Sequence, residues 1–198
     1  MKEMKVRLTF LEEILGTSPS DPEIYRKFIG SKAPDAQTLE EEVEALGVDE
    51  VTEKSMTIFP KEDGIPFLQD YQIKGFFKDA CGMLRKVPKT HSSKIKAYKK
   101  EIDGLIFVKE KRIPIKFEGD VSTCQRPLRA QTAQGERISL ANSESIPAGS
   151  AIEFTIQCLV DSDMDLVIEW LDYGKLRGIG QWRNSGKGRF EWSDITEE

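Results

Sequence analysis

The segment Gly178-Ile179-Gly180-Gln181-Trp182-Arg183-Asn184-Ser185-Gly186-Lys187-Gly188-Arg189 is where residue types and spacing point most directly to chemistry. It places four glycines, three cations and Trp182 within twelve residues. Glycine lets backbone N–H groups come close to a phosphate, and Arg183, Lys187 and Arg189 would neutralise its charge. Trp182 offers a face on which a base can stack. The segment is not a nucleoside-triphosphate loop. Five residues rather than four separate Gly180 from Gly186, and Gly188 follows Lys187 where Ser or Thr should hold magnesium. It is not a dinucleotide fingerprint either, because Arg183 stands at the third glycine position and no strand precedes it. What remains is binding of a phosphate backbone. The alternative is a flexible loop with Trp182 tucked into the core.

Other chemistries find little support. His91 is the single histidine and sits in the polar run Lys89-Thr90-His91-Ser92-Ser93, which reads as a surface loop. A histidine-based triad or a Cys/His zinc site is thereby disfavoured. Cys81, Cys124 and Cys158 are odd in number and have no CxxC spacing, as expected of free thiols in a reducing compartment. Asp161-Ser162-Asp163-Met164-Asp165, with Asp172 at the twelfth position, begins like a calcium loop. Leu166 stands where the sharp turn needs glycine, so helix N-capping explains these acids better. No metal or cofactor is expected.

The net charge of −5 over 198 residues argues mildly against a nucleic-acid partner, but its distribution says more. Nine acids and two lysines lie between Leu39 and Asp63. Seven cations (Arg85, Lys86, Lys89, Lys94, Lys96, Lys99, Lys100) and no acid lie between Met83 and Lys100, and five more cations run from Lys175 to Arg189. Segregation of this kind can focus positive potential on one face of an acidic molecule. Simple solvated faces are the competing reading. No stretch approaches the ~20 apolar residues of a membrane span, and Met1-Lys2-Glu3-Met4-Lys5 does not open a signal peptide. A soluble, cytoplasmic protein is expected.

The elements that must position these residues follow from periodicity. Lys5 to Phe10 alternates as a half-buried strand. Asp21-Pro22-Glu23 opens a helix ending near Gly30, and Thr38-Leu39-Glu40-Glu41 is a capping box for a short helix over 39–46. Ser55 to Pro60 suggests a strand and Asp63-Gly64 a turn. Over Asp70 to Lys86, Ile73, Phe76, Phe77, Ala80, Cys81 and Leu84 follow helical spacing. Gly75 inside it, at a cost of ~1 kcal/mol against alanine, implies a close approach to the backbone there. Leu105 to Glu110 and Ile113 to Phe117 read as strands. Glu118 to Gly149 lacks clear periodicity, so it is irregular or hides a hairpin. Ala151 to Val160 alternates as a strand. A helix with Leu166, Val167, Trp170 and Leu171 follows, stopped by Gly174. A short strand through Phe190 and Trp192 ends the series. Stripped of insertions the order is strand, helix, strand, strand, helix, strand. That predicts an α+β, ferredoxin-like (RRM-like) four-stranded antiparallel sheet with two helices on one face.

Three blocks resemble the repeat-associated mysterious protein (RAMP) superfamily, which supplies backbone and processing subunits of CRISPR effector complexes. They are the opening strand and turn, Val6-Arg7-Leu8-Thr9-Phe10-Leu11-Glu12-Glu13-Ile14-Leu15-Gly16; Gly64-Ile65-Pro66-Phe67 followed by Ile73-Lys74-Gly75-Phe76-Phe77-Lys78; and the glycine-rich loop from Arg177 to Gly188. The resemblance implies one RAMP-like domain over 1–198 with insertions at about 17–63 and 118–150. It implies a domain binding single-stranded RNA or another nucleic acid along its backbone. Some relatives cut RNA with an aspartate or a histidine, but with Asp21 and Asp35 the only suitable acids and His91 without a partner to tune it, a non-catalytic domain is expected. Lys74, Gly75, Lys78 and Arg85 would line the groove with Arg177, Gly178, Gly180, Trp182, Arg183, Gly186, Lys187, Gly188 and Arg189. Arg126, Arg129 and Arg137 would belong to a thumb-like insertion. Homo-oligomerisation along a strand, or a place in a protein complex, follows from the analogy alone. Tyr173 to Trp192 also resembles proteins of phage and prophage genomes. A protein-interaction or anti-defence module using the acidic 39–63 segment is therefore a second expectation. A metal-dependent ribonuclease using Asp21 or Asp35 is a third, although Asp21 is better explained by N-capping.

Overall fold

The structure is a computed structural model and describes residues 1–20, 56–132 and 135–196. The helices expected over 21–30 and 39–46, with Asp21 and Asp35, lie outside the described residues. In chain order the elements are β1 (Lys2–Phe10), β2 (Ile14–Leu15), β3 (Ser18–Pro19), β4 (Thr57–Ile58), β5 (Lys61–Glu62), β6 (Ile65–Gln69), α1 (Asp70–Leu84), α2 (Tyr98–Leu105), β7 (Ile106–Val108), β8 (Arg112–Lys116), β9 (Ser122–Thr132), β10 (Gly135–Ile146), β11 (Ala151–Cys158), α3 (Asp163–Arg177) and β12 (Phe190–Asp194). It is a mixed α+β chain with three helices among the described residues. By internal contacts it divides into two units. Met1–Ile14, Pro60–Asp120 and Ile146–Glu198 make the first, and Leu15–Phe59 with Val121–Ser145 the second.

The first unit is an antiparallel sheet in the order β12-β1-β11-β8-β6-β5, with β7 also on β11. β7 and β8 pair with the two ends of β11, Val108 opposite Ile156 and Ile115 opposite Ile152. Between them Glu110 fills the gap, accepting from Thr155 N–H (2.7 Å) and Thr155 Oγ1 (3.0 Å). Strict alternation buries one face of the central pair: Met4, Val6, Leu8 and Phe10 on β1, and Ile152, Phe154, Ile156 and Cys158 on β11. Each such fully buried Ile, Leu or Phe contributes roughly 1.5–3 kcal/mol. The ring of Phe190 in β12 lies edge-on to Phe10 (6.3 Å) and to Phe76 of α1 (5.1 Å). Phe77 of α1 meets Trp170 of α3 at 5.5 Å.

Several expectations shift. Asp63-Gly64 is the tight turn of the β5–β6 hairpin, with φ 50° and 81° as a two-residue connection requires. Of the strand expected over Ser55 to Pro60, the described residues 56–60 contribute β4, and Leu105 closes α2 rather than opening a strand. Gly174 does not stop its helix, which continues to Arg177 and ends at Gly178 with φ 76°. Gly174 is instead a packing glycine, since a Cβ there would lie 2.3 Å from the Phe190 ring. Gly75 has nothing within 4 Å of a Cβ, so no close approach occurs there; it occurs at Gly82, where a Cβ would lie 3.2 Å from the Tyr98 hydroxyl. Glu169 ties the turn before α2 to α3, accepting from His91 N–H (2.6 Å) and Ser92 Oγ (2.6 Å). That Ser92 hydroxyl accepts the buried Trp170 indole N–H at 2.9 Å.

The second unit holds a long hairpin, β9 and β10, in register from Ser122 opposite Ser145 to Thr132 opposite Gly135. The excursion without periodicity is thus a paired ribbon. β4 joins β10 in parallel at Thr57 and Ser143, whose hydroxyls lie 2.6 Å apart, and β3 joins β4. The Glu144 carboxylate accepts the Phe59 N–H at 2.8 Å. Among the described residues no helix is long and apolar enough to cross a membrane.

Candidate nucleic-acid interface

The glycine-rich loop leaves α3 at Gly178 and returns to the sheet at Arg189. Its glycines shape the loop by letting backbone meet backbone. Ile179 N–H donates to Gly188 O at 2.9 Å, and a Cβ on Gly188, at φ 68°, would lie 1.9 Å from Ile179 O. Only glycine tolerates that approach in that conformation. Gly188 N–H donates to Glu13 O (2.9 Å), and Leu11 N–H to Arg189 O (2.8 Å), so the loop is tied to the chain leaving β1. Gly186 N–H closes a short 3-10 turn over Arg183–Ser185 by donating to Arg183 O at 2.9 Å. Two of the four glycine amides proposed to meet phosphate, those of Gly186 and Gly188, therefore already have backbone partners. Gly180 also adopts a left-handed conformation, with φ 90°.

The loop's cations face carboxylates that the sequence pattern had not linked to them. Asp79 of α1 accepts from Arg177 Nε at 2.8 Å and from Arg183 Nη1 at 2.9 Å through the same oxygen. Arg177 also donates to Asn184 Oδ1 at 2.7 Å. The bond to Asp79 raises the guanidinium's affinity for its proton, against the opposing effect of burial. Lys187 pairs with Glu13, and Arg189 Nη2 with Glu12 Oε1 at 3.0 Å. The partners are 20–44% exposed. Half-solvated pairs of this kind are worth about 0–1 kcal/mol each, a barrier a polyanion can overcome by exchange. Trp182 is 39% exposed and left-handed at φ 55°, and so is not tucked into the core.

The other predicted residues divide into three places. Lys74 and Lys78, one turn apart on α1, converge on Asp103 at the end of α2: Lys74 Nζ donates to its carbonyl at 3.2 Å and Lys78 pairs with its carboxylate at 2.6 Å. Lys74 also lies 4.7 Å from the Phe107 ring centroid, and burial lowers its pKa more than Asp103 restores it. Gly75 is exposed beside them. Arg85, just past α1, is exposed with its guanidinium 5.3 Å from the Tyr98 ring. Arg126 belongs to the second unit, where it is 5% exposed and donates to Ser143 Oγ at 3.0 Å. Arg129 and Arg137 occupy the β9–β10 ribbon, opposite Ile138 and Ala130. Asp79 thus brings Arg177 and Arg183 onto the helix that carries Lys74 and Lys78 and is capped by Arg85. Glu12, Glu13 and Asp79 were missed because nothing local marks a carboxylate as the partner of a distant cation. Among the described residues no three His, Cys, Asp or Glu side chains group as metal ligands would.

No protein-family model matches the chain, and no curated protein sequence matches it. Among solved structures, it is similar to a chain of the Type III-B Cmr-beta complex bound to cognate target RNA, with TM-score 0.52 and 13% identity over 97% of this chain. This chain spans 59% of the length of that one. It also matches a chain of a Type IV-B CRISPR complex at TM-score 0.49 and 10% identity, covering 99% of this chain and 91% of that one. At such identity the first likeness is one of fold.

Proposed function

We propose that this chain is a RAMP-type, non-catalytic protein that binds single-stranded RNA along its backbone. The observation that carries the proposal is the placement of the glycine loop. It joins the last helix to the last strand of a sheet whose core order is β12-β1-β11 and then β7/β8. Numbered as four core strands, that order is fourth, first, third, second. With α1 and α3 both against Phe190, it supports the ferredoxin-like reading. The likeness to a chain from an RNA-bound complex agrees with it. In this reading the first unit is the RAMP core, and the second is assembled from the two insertions, its segments 15–59 and 121–145 overlapping 17–63 and 118–150. Phosphates exchange with Glu12, Glu13 and Asp79 for the loop cations, and Trp182 stacks on a base. Assembly beside further subunits, or repetition along one RNA, belongs to the same reading.

Fluorescence anisotropy with labelled single-stranded RNA, single-stranded DNA and duplex, at low and moderate salt, tests it. Micromolar or tighter binding of single-stranded RNA that weakens steeply with salt is expected. Arg183→Gln/Lys187→Gln should weaken it while an unchanged thermal melt shows the fold intact. Absence of RNA binding at low salt would refute the reading. Capture of a protein through the acidic 39–63 segment would then become the leading alternative.

A further inference from the structure

The cations of the glycine loop are paired, whereas among the described residues those of the 83–100 stretch meet no carboxylate. Its seven cations are all exposed, and among the described residues none has a carboxylate partner. Two of them, Arg85 and Lys86, line a cleft of about 440 Å³ between the C-terminal half of α1 and the start of α2, together with Lys78, Asp79, Gly82, Met83 and Tyr98. That volume falls in the range of about 300–1,000 Å³ typical of ligand sites. Glycine at 82 leaves room for Tyr98 on the cleft wall: a Cβ there would lie 3.2 Å from the Tyr98 hydroxyl, close enough to displace it by a few tenths of an ångström. The Tyr98 ring is half-buried and carries the Arg85 guanidinium at 5.3 Å, giving a flat, cationic platform at the edge of the cleft. The acid on its wall, Asp79, is already neutralised by Arg177 and Arg183.

We propose that this cleft is a second contact for single-stranded RNA, with Arg85 and Lys86 each taking a phosphate and a base lying on the Arg85–Tyr98 platform. The inference rests on the RNA-binding reading above and deepens it: Lys78 and Arg85, expected in the groove, line the cleft, and Lys86 and Tyr98 are added to them. An acidic protein surface would use the cations but has no use for a cleft with a stacked ring. Asp79 joins the two sites, since the carboxylate that lines the cleft also holds Arg177 and Arg183. One strand can therefore pass from loop to cleft without leaving the first unit.

The test is anisotropy with a labelled oligouridine, titrated against the full chain across a salt series. Arg85→Gln/Lys86→Gln should weaken binding about tenfold and reduce the slope of log affinity on log salt by about 1.4, the share of two single-strand phosphates. Tyr98→Leu should weaken binding about fivefold or more without changing the slope, and Tyr98→Phe should bind as the parent does. Arg85 and Lys86 are exposed, so the charge variant folds and decides the matter even where Tyr98→Leu is destabilised. If that variant binds as the parent does while Arg183→Gln/Lys187→Gln loses RNA, the cleft is overturned and the RNA-binding reading survives. If the parent itself binds no RNA, both fall. If Arg85 and Lys86 matter but Tyr98→Leu folds and binds normally, and polyglutamate displaces the RNA at equal charge, the cleft serves an acidic protein and the proposal is overturned.

Discussion

Replacing Gly174 and Gly75 by alanine, one at a time, should give opposite results although both lie inside helices. Gly→Ala in a helix interior gains up to ~1 kcal/mol from backbone entropy and solvation. At Gly75 nothing lies within 4 Å of the new methyl, so that gain should appear in full. At Gly174 the new Cβ would lie 2.3 Å from Cε2 and Cζ of Phe190 and 2.8 Å from Cδ2. Comfortable carbon contacts are ~3.5–4.0 Å, so the ring or the helix must retreat by more than an ångström. Phe190 cannot yield cheaply. It is fully buried, it pairs with Phe10 in the ladder, and it is held edge-on between Phe10 and Phe76. Overpacking costs about 1–3 kcal/mol, and the severity of this clash argues for the upper end. The net loss at Gly174 should be about 2 kcal/mol after subtracting the helical gain. With roughly 2–4 °C per kcal/mol for a chain of this size, Gly174→Ala should melt about 4–8 °C lower and Gly75→Ala about 2–4 °C higher. All three tryptophans, Trp170, Trp182 and Trp192, belong to the first unit, so intrinsic fluorescence follows the unit that contains both glycines. A Gly174→Ala variant as stable as Gly75→Ala would refute the packing argument.

Three further outcomes can be checked in the same preparations. Ser92→Ala should cost about 1–3 kcal/mol in a denaturant melt, because it strands the buried Trp170 N–H that Ser92 Oγ accepts at 2.9 Å; a neutral result would contradict that role. Burial pushes the Cys158 thiol from 9.0 up to about 11 and raises Cys81 as well. Above pH 9 the unfolded thiols ionise while the folded ones keep their protons, so stability present below pH 9 should decline between about pH 9 and 11. The slope is up to ~1.4 kcal/mol per pH unit per thiol, and Cys158→Ala should flatten it. Asp79→Asn removes the charge shared by Arg177 and Arg183, and should raise affinity for single-stranded RNA about fivefold, near 1 kcal/mol of lost competition, in the anisotropy assay.

The parts of the fold that could be read from the sequence are those with one wet and one dry face. β1, β11 and the stripe of α1 announce themselves because every second or every third-to-fourth residue is apolar and buried. The β9–β10 ribbon was not legible because Ser122–Thr132 is polar at most positions, so its pairing is carried by backbone bonds that leave no periodic mark. α2 hides in a lysine run, with Tyr98, Ile102 and Leu105 as its only apolar signal. Gly174 looked like a helix stop because helices so often end at glycine. Its reason lies sixteen residues on, at Phe190. The same holds at the loop. Arg177, Arg183, Lys187 and Arg189 are plain in the sequence, but the carboxylates they meet lie 98 to 177 residues away.

The strand order has a consequence for synthesis. β1 is flanked by β11 and β12, so a strand with one apolar face receives both neighbours from segments that are synthesised about 140 or more residues later. At translation rates of roughly 5–20 residues per second, Val6, Leu8 and Phe10 are outside the ribosome for about seven to thirty seconds before β11 can cover them. Leu11 and Glu13 wait longer still for Arg189 and Gly188. Such a chain gains little from folding as it emerges. During that interval its opening strand is an unpaired, alternating apolar ribbon, the form that adds to any exposed sheet edge it meets. The alternating charges Lys5 and Arg7 on its other face serve as guards during that wait as much as surface residues of the finished protein.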